Sequence, residues 1–416
     1  MNPPGLTAAT ACRSCGAEGL ELVIDLGQTP LANALLPGDD PAARPVLYPL
    51  TLVRCPGCTL VQLGQIVAPE RLFSDYVYFS SFSETMLRHA EAMAAELTAR
   101  ERLGADSLVV ELASNDGYLL QYFKARGVPV LGIEPAQNIA AVAEREKGIP
   151  TLARFFGREL GQELAAAGRP ADVVIGNNVL AHVPDLNSFV GGVAALLKPG
   201  GVAVFEAPYL KEMLDRVEFD TIYHEHQCYF SATALAALFE RHGLELVDVE
   251  RQPIHGGSLR VFAAPAGTRR RSEALVVLLD EERDWGVDRA DAYAAFADRV
   301  AALKRDLVAL LDELRAKGRR LAAYGASAKG VTLLSFCGIG AERLEFVVDR
   351  STVKQGQRYP AGGLPILPPE ALLERRPDYA LLLTWNFAEE ILRQQQPYRQ
   401  AGGKFVVPVP EPRVEA

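Results

Sequence analysis

Residues 107–117 read SLVVELASNDG, an apolar run with an acidic residue near its end, followed by a turn of small residues. A buried strand that runs into such a turn at the start of a helix lets the backbone approach a ligand closely and presents amide donors to it. The turn lacks the G-x-G-x-x-G spacing suited to a dinucleotide pyrophosphate, which speaks against a nicotinamide or flavin site. Outward from this point, strand and helix patterns alternate. Residues 130–133 close on Glu134-Pro135, 171–175 close on Asn177-Asn178, and LKPGG at 197–201 introduces the run 202–206. This alternation implies βαβ units around a parallel sheet. Glu134, at the end of the second strand, stands where a carboxylate can accept hydrogen bonds from both hydroxyls of a ribose.

Further along, 290–317 carries an apolar stripe, Tyr293, Phe296, Val300, Leu303, Leu307, Leu310 and Leu314, at helical spacing. So few heptads favour packing within the chain over a dimer seam, and a monomer is expected. A second α/β pattern follows: 320–324, the turn 325–330 (GASAKG), 346–348 ending at Asp349, then 379–383 and 405–407. Ser327 and Lys329 follow Gly325 at a helix start, an anion site with an added cation that suits a sugar-nucleotide diphosphate. A glycine turn between strand and helix is also plain fold punctuation.

The N-terminal region is of another kind. Cys12 and Cys15 form one C-x-x-C pair and Cys55 and Cys58 another, with Gly16, Pro56 and Gly57 at the turns. Two thiolate pairs on tight knuckles can enclose one Zn²⁺ in the closed tetrahedral shell of a structural site. Cys228 and Cys337 stand alone and read as inert packing residues. The expected fold class is α/β, organised as a zinc-binding module of short strands and turns (1–75), a central Rossmann-like domain (76–265), a helical connector (266–318) and a second Rossmann-like domain (319–416).

Composition limits the partners. With 43 Lys and Arg against 52 Asp and Glu, the formal charge of −9 disfavours general attraction to nucleic acid or an anionic membrane. No apolar run reaches the ~18 residues of a membrane span, and residues 1–10 lack a signal-peptide pattern, so a cytoplasmic protein is expected.

Four motifs in order, ELASNDGYLL, the acidic end of GIEP, NNVLAHV and LKPGG, resemble the class I S-adenosylmethionine-dependent methyltransferases. The resemblance implies that Glu111, Ala113, Asn115 and Gly117 hold the methionine and ribose end of the donor, that Glu134 holds the ribose, and that Asn177 lies beside the methyl group. A wider resemblance rests on the cysteine pairs, DYVYFSSFS at 75–83, FDTIYHEHQCYFS at 219–231, HGGSLRV at 255–261 and the C-terminal YGASAKG. Together these are similar to the sugar C-methyltransferases of deoxysugar pathways, which methylate a ring carbon of nucleotide-linked 4-keto-deoxysugars. The resemblance implies a dTDP-linked keto-deoxysugar substrate with carbon 3 as acceptor, S-adenosylmethionine as donor and structural Zn²⁺.

Carbon methylation needs a general base for the proton alpha to the ketone and a donor for the developing enolate oxygen. Tyr223-His224-Glu225-His226 supplies both kinds of group. By resemblance His226 is the base, Glu225 and Tyr223 support it, and His182 lies near the keto group. Tyr76 or Tyr78, with Asn178, His224, His255, Arg260, Ser327 and Lys329, would line the sugar-nucleotide site. Two readings compete. His224 and His226, two apart on an extended segment, would face one side and could ligate a metal with His182, and an O- or N-methyltransferase of small molecules would also use a histidine base.

Overall fold

The computed structural model describes residues 5–68, 81, 84–253 and 256–415, so Tyr76, Tyr78 and His255 lie outside the described residues. The N-terminal part holds β1 (Leu6–Ala8), β2 (Glu21–Pro30), β3 (Leu47–Arg54), β4 (Val61–Leu63) and β5 (Gln65–Val67). β1 pairs with β5, while β2, β3 and β4 form an antiparallel sheet. Inner positions along β3 alternate with more open ones, the pattern of a sheet with one covered face.

The central domain is built on β6 (Val109–Leu112), β7 (Val130–Ile133), β8 (Thr151–Leu152), β9 (Ala171–Asn177) and β10 (Leu197–Pro208), all parallel. β6 and β7 are buried along their whole length, as strands covered by helices on both faces must be. After β10 comes β11 (Cys228–Tyr229), which leaves this domain and pairs with β4 as the outermost strand of the zinc-module sheet. β12 (Leu244–Gln252) and β13 (Ser258–Pro265) then return, giving the seven-stranded order β12-β13-β10-β9-β6-β7-β8 with β13 antiparallel to both neighbours.

The C-terminal domain carries β14 (Leu321–Tyr324), β15 (Val347–Val348), β16 (Ile366–Leu367), β17 (Tyr379–Leu382), β18 (Lys404–Val407) and β19 (Arg413–Glu415). Their order is β16-β15-β14-β17-β18-β19, parallel except for β19. The strand order reverses between β14 and β17, the crevice where open α/β sheets take ligands.

The expected helix spans Ala290–Ala316, and its stripe is covered within the chain. Leu311 is buried where the sequence pattern pointed to Leu310, because steps of four and then three from Leu307 keep the stripe on one face. That face joins Val23, Ile24, Leu26 and Leu50 of the N-terminal sheet to Leu321, Val331 and Leu333 of the C-terminal domain in one apolar cluster. Residues 5–68 are therefore not held together by metal alone; they share a core with the long helix and the C-terminal domain. Among the described residues, no helix is long and apolar enough to cross a membrane.

Candidate active site

The turn after β6 has the close-approach geometry its sequence suggested. Ala113, Asn115 and Gly117 have φ of 54°, 51° and 74°, and Asn178 after β9 has 54°. Alanine and asparagine in the left-handed region are strained positions that persist where surrounding structure enforces them, commonly at functional sites. The turn also crosses β7 at Gly132, where a Cβ would lie 2.5 Å from Ser114 Oγ. Glu134 does more than face a ligand: its two carboxylate oxygens accept from Asn115 N at 3.0 Å and Ala136 N at 2.9 Å. It ties the second strand end to the turn after the first.

Three carboxyls gather at this turn, Glu111, Asp116 and Glu134, with Lys147 paired to Asp116 at 2.9 Å. Glu111 is 1% exposed, and burial, followed by the charges of Glu134 and Asp116, pushes its carboxyl well above the usual range. Glu111 Oε2, Ser114 Oγ and Asp116 Oδ1 are buried without hydrogen-bond partners among the described residues. Such a group favours a cationic ligand with donors of its own, and the ammonium and sulfonium of S-adenosylmethionine fit that requirement. Asn177 donates to Met93 Sδ at 3.3 Å, leaving its buried Oδ1 without a described partner.

The His-Glu-His segment is a turn rather than an extended strand, with His226 N donating to Tyr223 O at 2.9 Å. The expectation that His224 and His226 share a side is corrected accordingly. His224 is buried, donates from Nε2 to Pro49 O at 3.1 Å, and has its pKa lowered to about 4 by burial. His226 turns the other way: Nδ1 meets Thr221 O at 3.0 Å and Nε2 meets Tyr223 Oη at 2.8 Å. A carbonyl only accepts, so Nδ1 carries the proton and Nε2 presents its lone pair to the Tyr223 hydroxyl. His182 packs against His226 with ring centroids 4.9 Å apart and donates from Nδ1 to Glu225 O at 2.8 Å. Burial lowers its pKa, keeping it neutral. The three imidazoles do not converge on one point, and the four cysteines are the one potential metal cluster found among the described residues.

Glu225 stands where the three parts of the chain meet. Asn33 Nδ2 donates to its Oε1 at 2.7 Å, and burial raises its pKa to about 7 against the opposing Asn33 bond and Lys354 charge. Neither Asn33 nor Lys354 carries a sequence signal, since each reaches the segment only through the fold.

Two further candidates are placed differently from their expected roles. Arg260 is 3% exposed and bonded to Glu206, Glu96 and Glu250 at 2.8, 2.9 and 3.2 Å, within an ion cluster that also holds His89. Lys329 Nζ lies 4.6 Å from the Trp385 ring and has no hydrogen-bond partner among the described residues. Across from it stand Asp220, which accepts from Trp385 Nε1 at 2.7 Å, and Glu218. Burial raises these carboxyls to about 6 and about 8, with Lys329 pulling both down. An apolar neighbourhood around acidic residues in VEFDTIY was the available clue to that pair. Ser327 caps the helix Ala328–Cys337 by accepting from Gly330 N at 3.2 Å.

At the N-terminal end, the sulfurs of Cys12, Cys15, Cys55 and Cys58 lie within 4.8 Å of one another, with Cys12–Cys58 and Cys15–Cys55 at 3.5 Å. A tetrahedron with Zn–S bonds of ~2.3 Å has edges of roughly 3.8 Å, so the cradle fits the ion. Cys228 and Cys337 are buried, and burial pushes both thiols up to about 12, as inert packing groups require.

Over 404 residues the chain is 40% identical to C-methyltransferase NovU of Streptomyces niveus, spanning 97% of this chain and 96% of that one. The chain belongs to the C-methyltransferase family. Family descriptions divide it accordingly: a zinc binding domain matches 12–73, a methyltransferase domain 86–249 and a C-methyltransferase C-terminal domain 253–410. This C-methyltransferase uses S-adenosylmethionine and zinc, and its four cysteines form a cradle that fits the metal. More distantly, the ubiquinone biosynthesis O-methyltransferase of a Methylobacterium strain is 26% identical over 224 residues, 49% of this chain and 84% of that one. Among solved structures, magnesium protoporphyrin IX methyltransferase from Synechocystis with bound S-adenosylmethionine aligns at 14% identity and TM-score 0.34, covering 47% of this chain and 89% of that one.

Proposed function

We propose that this C-methyltransferase transfers the methyl group of S-adenosylmethionine to a ring carbon, carbon 3, alpha to the ketone of a dTDP-linked 4-keto-deoxysugar. The observation that carries the reading is the locked His226 imidazole: with Nδ1–H committed to Thr221 O, only Nε2 can take a proton. In the resting arrangement the Tyr223 hydroxyl occupies that lone pair at 2.8 Å. As the substrate enters, the hydroxyl transfers its hydrogen bond to the ketone oxygen. Nε2 then removes the alpha proton, the C–H electron pair forms the enolate, and Tyr223 stabilises the oxyanion. Bound S-adenosylmethionine supplies an electrophilic methyl group, so the enolate carbon gains a C–C bond and the sulfonium leaves as a neutral thioether. Neutral His182 beside the base adds no positive charge to oppose proton uptake.

The donor pocket is assigned to Glu111, Ala113, Asn115, Gly117, Glu134 and Asn177. The sugar nucleotide is assigned to the His-Glu-His segment and the C-terminal switch point, with Asn178, Ser327 and Lys329. Buried His224 and Arg260 support it from outside rather than by contact. A methyl-labelled donor incubated with a panel of nucleotide-linked keto-sugars tests the reading by product NMR. Label on a ring carbon adjacent to the ketone is expected; label on oxygen or nitrogen would move the assignment to the O- or N-methyltransferases.

A further inference from the structure

The segment that carries the proposed base is hydrogen-bonded into the zinc-module sheet as well as to the central domain, where Gln227 N donates to Ala181 O at 2.6 Å and Leu210 N donates to Phe230 O at 2.9 Å. Cys228 and Tyr229 pair with Gln62 and Val61, and Leu63 N donates to Gln227 O at 3.0 Å. β4 follows the second cysteine knuckle directly, and Cys55 N donates to Leu60 O at 2.8 Å, so the metal cradle and the edge that receives the segment form one unit. On its other side the segment is held by Asn33. The loop bearing Asn33 is itself tied to the C-terminal domain by reciprocal bonds between Leu36 and Arg358 at 2.9 and 2.8 Å.

The geometry points to Asn33 as a positioning residue: by holding the Glu225 carboxyl it fixes the Glu225 carbonyl that sets the proton on His182, and with it the ring against which His226 packs. The three links are Asn33 Nδ2 to Glu225 Oε1 at 2.7 Å, His182 Nδ1 to Glu225 O at 2.8 Å, and the His182–His226 ring contact at 4.9 Å. Glu225 is 8% exposed, so losing its donor leaves a buried carboxyl that must find another partner. Lys354 of the C-terminal domain is the charge that acts on it from the other side. A swing toward Lys354 turns the 225–226 peptide, frees His182 to change tautomer and shifts the His226 ring. The zinc module thus takes part in the reaction by aligning its base, not only by stabilising the chain. This inference rests on the assignment of His226 above.

Asn33→Ala tests it in the full chain with zinc bound. With histidines labelled in ¹⁵N, the wild type is expected to show His182 and His226 as Nδ1–H tautomers. In Asn33→Ala the His182 nitrogen shifts should move toward a tautomer mixture while those of His89 and His242 stay in place. Turnover number is expected to fall by about 10–100-fold, since sub-ångström misplacement of a reacting group is costly. KM for the donor and zinc content should be unchanged. Glu225→Gln, which keeps an oxygen to accept from Asn33, should retain most turnover, whereas Glu225→Ala should match Asn33→Ala. Unchanged His182 shifts with unchanged turnover would overturn the inference, as would a loss of donor affinity and zinc alongside turnover, which marks general destabilisation. Normal turnover in His226→Asn would instead overturn the base assignment while leaving the tautomer result for Asn33 standing.

Discussion

The two Rossmann-like sheets use one device, a strand-end carboxylate that accepts from the turn after the first strand, with different side chains around it. In the central domain Glu134, at the end of the second strand, accepts from Asn115 N in the turn after the first strand and from Ala136 N beyond itself. In the C-terminal domain Asp349 sits at the equivalent strand end and accepts from Ala326 N at 2.7 Å and Ser351 N at 2.7 Å. Around the first turn stand Glu111 and Asp116, the latter paired with Lys147 at 2.9 Å; around the second stand Lys329, facing Asp220 and Glu218, and Lys354, which donates to Ala326 O at 2.7 Å. In the proposed reading, backbone architecture sets where a ligand sits and the side chains around each turn set which ligand it is. The acidic turn suits a sulfonium donor, and the lysine-bearing turn suits an anionic nucleotide.

The largest expected effect concerns neither pocket but the group between them. His226→Asn should lower methyl transfer by ~10²–10⁴, the usual contribution of a positioned acid–base group, with both ligands still binding. Parallel losses of affinity in calorimetry would mean that His226 shapes a pocket instead. Glu134→Ala should weaken donor binding by roughly tenfold to a hundredfold, on the order of 1.5–3 kcal/mol for hydrogen bonds to a charged group, and leave the sugar nucleotide unaffected. Asp349→Ala should do the reverse. If both variants weaken the same ligand, the two turns do not divide the labour as described.

Zinc removal should have an intermediate effect. Because β4 pairs with the base segment while the turn proposed to hold the donor lies in the other sheet, chelation is expected to reduce turnover about tenfold or more before donor affinity changes. Donor affinity lost in step with zinc would contradict that separation.

The smallest effect is on stability. Glu225, Glu218 and Asp220 are buried carboxyls with folded pKa values of about 7, 8 and 6, above the ~4 of the unfolded chain. The folded state holds these protons more tightly, so their contribution is fully present below about pH 4 and is lost as pH rises through about 6 to 8. The melting temperature should fall by a few degrees between about pH 6 and about pH 9. Glu218→Gln should flatten that slope; an unchanged slope would show that Glu218 does not titrate in this range.

Much of this was legible in the sequence, and the limits have a physical pattern. The acidic strand end, the small-residue turn and the cysteine pairs are local signals, each set by backbone conformation or by ligand spacing within a few residues. Leu311 replaced Leu310 because a stripe read in steps of three and four leaves such neighbours ambiguous. Relations across distance were not readable. Asn33 and Glu225 are 192 positions apart, and two-residue β11 has no periodicity that could announce its pairing with β4. Arg260 looked like a ligand residue because a lone arginine in a glycine-rich motif gives no hint of the three glutamates that surround it in the fold.

The central claim, that His226 makes a carbon nucleophile, is tested most directly by proton exchange without methyl transfer. Wild-type protein, keto-sugar nucleotide and S-adenosylhomocysteine in D₂O should exchange the carbon-3 proton alpha to the ketone, read by loss of its NMR signal. His226→Asn, with native folding confirmed, should abolish that exchange. Exchange at the wild-type rate in His226→Asn, or none above background in the wild type while turnover proceeds, would contradict the account.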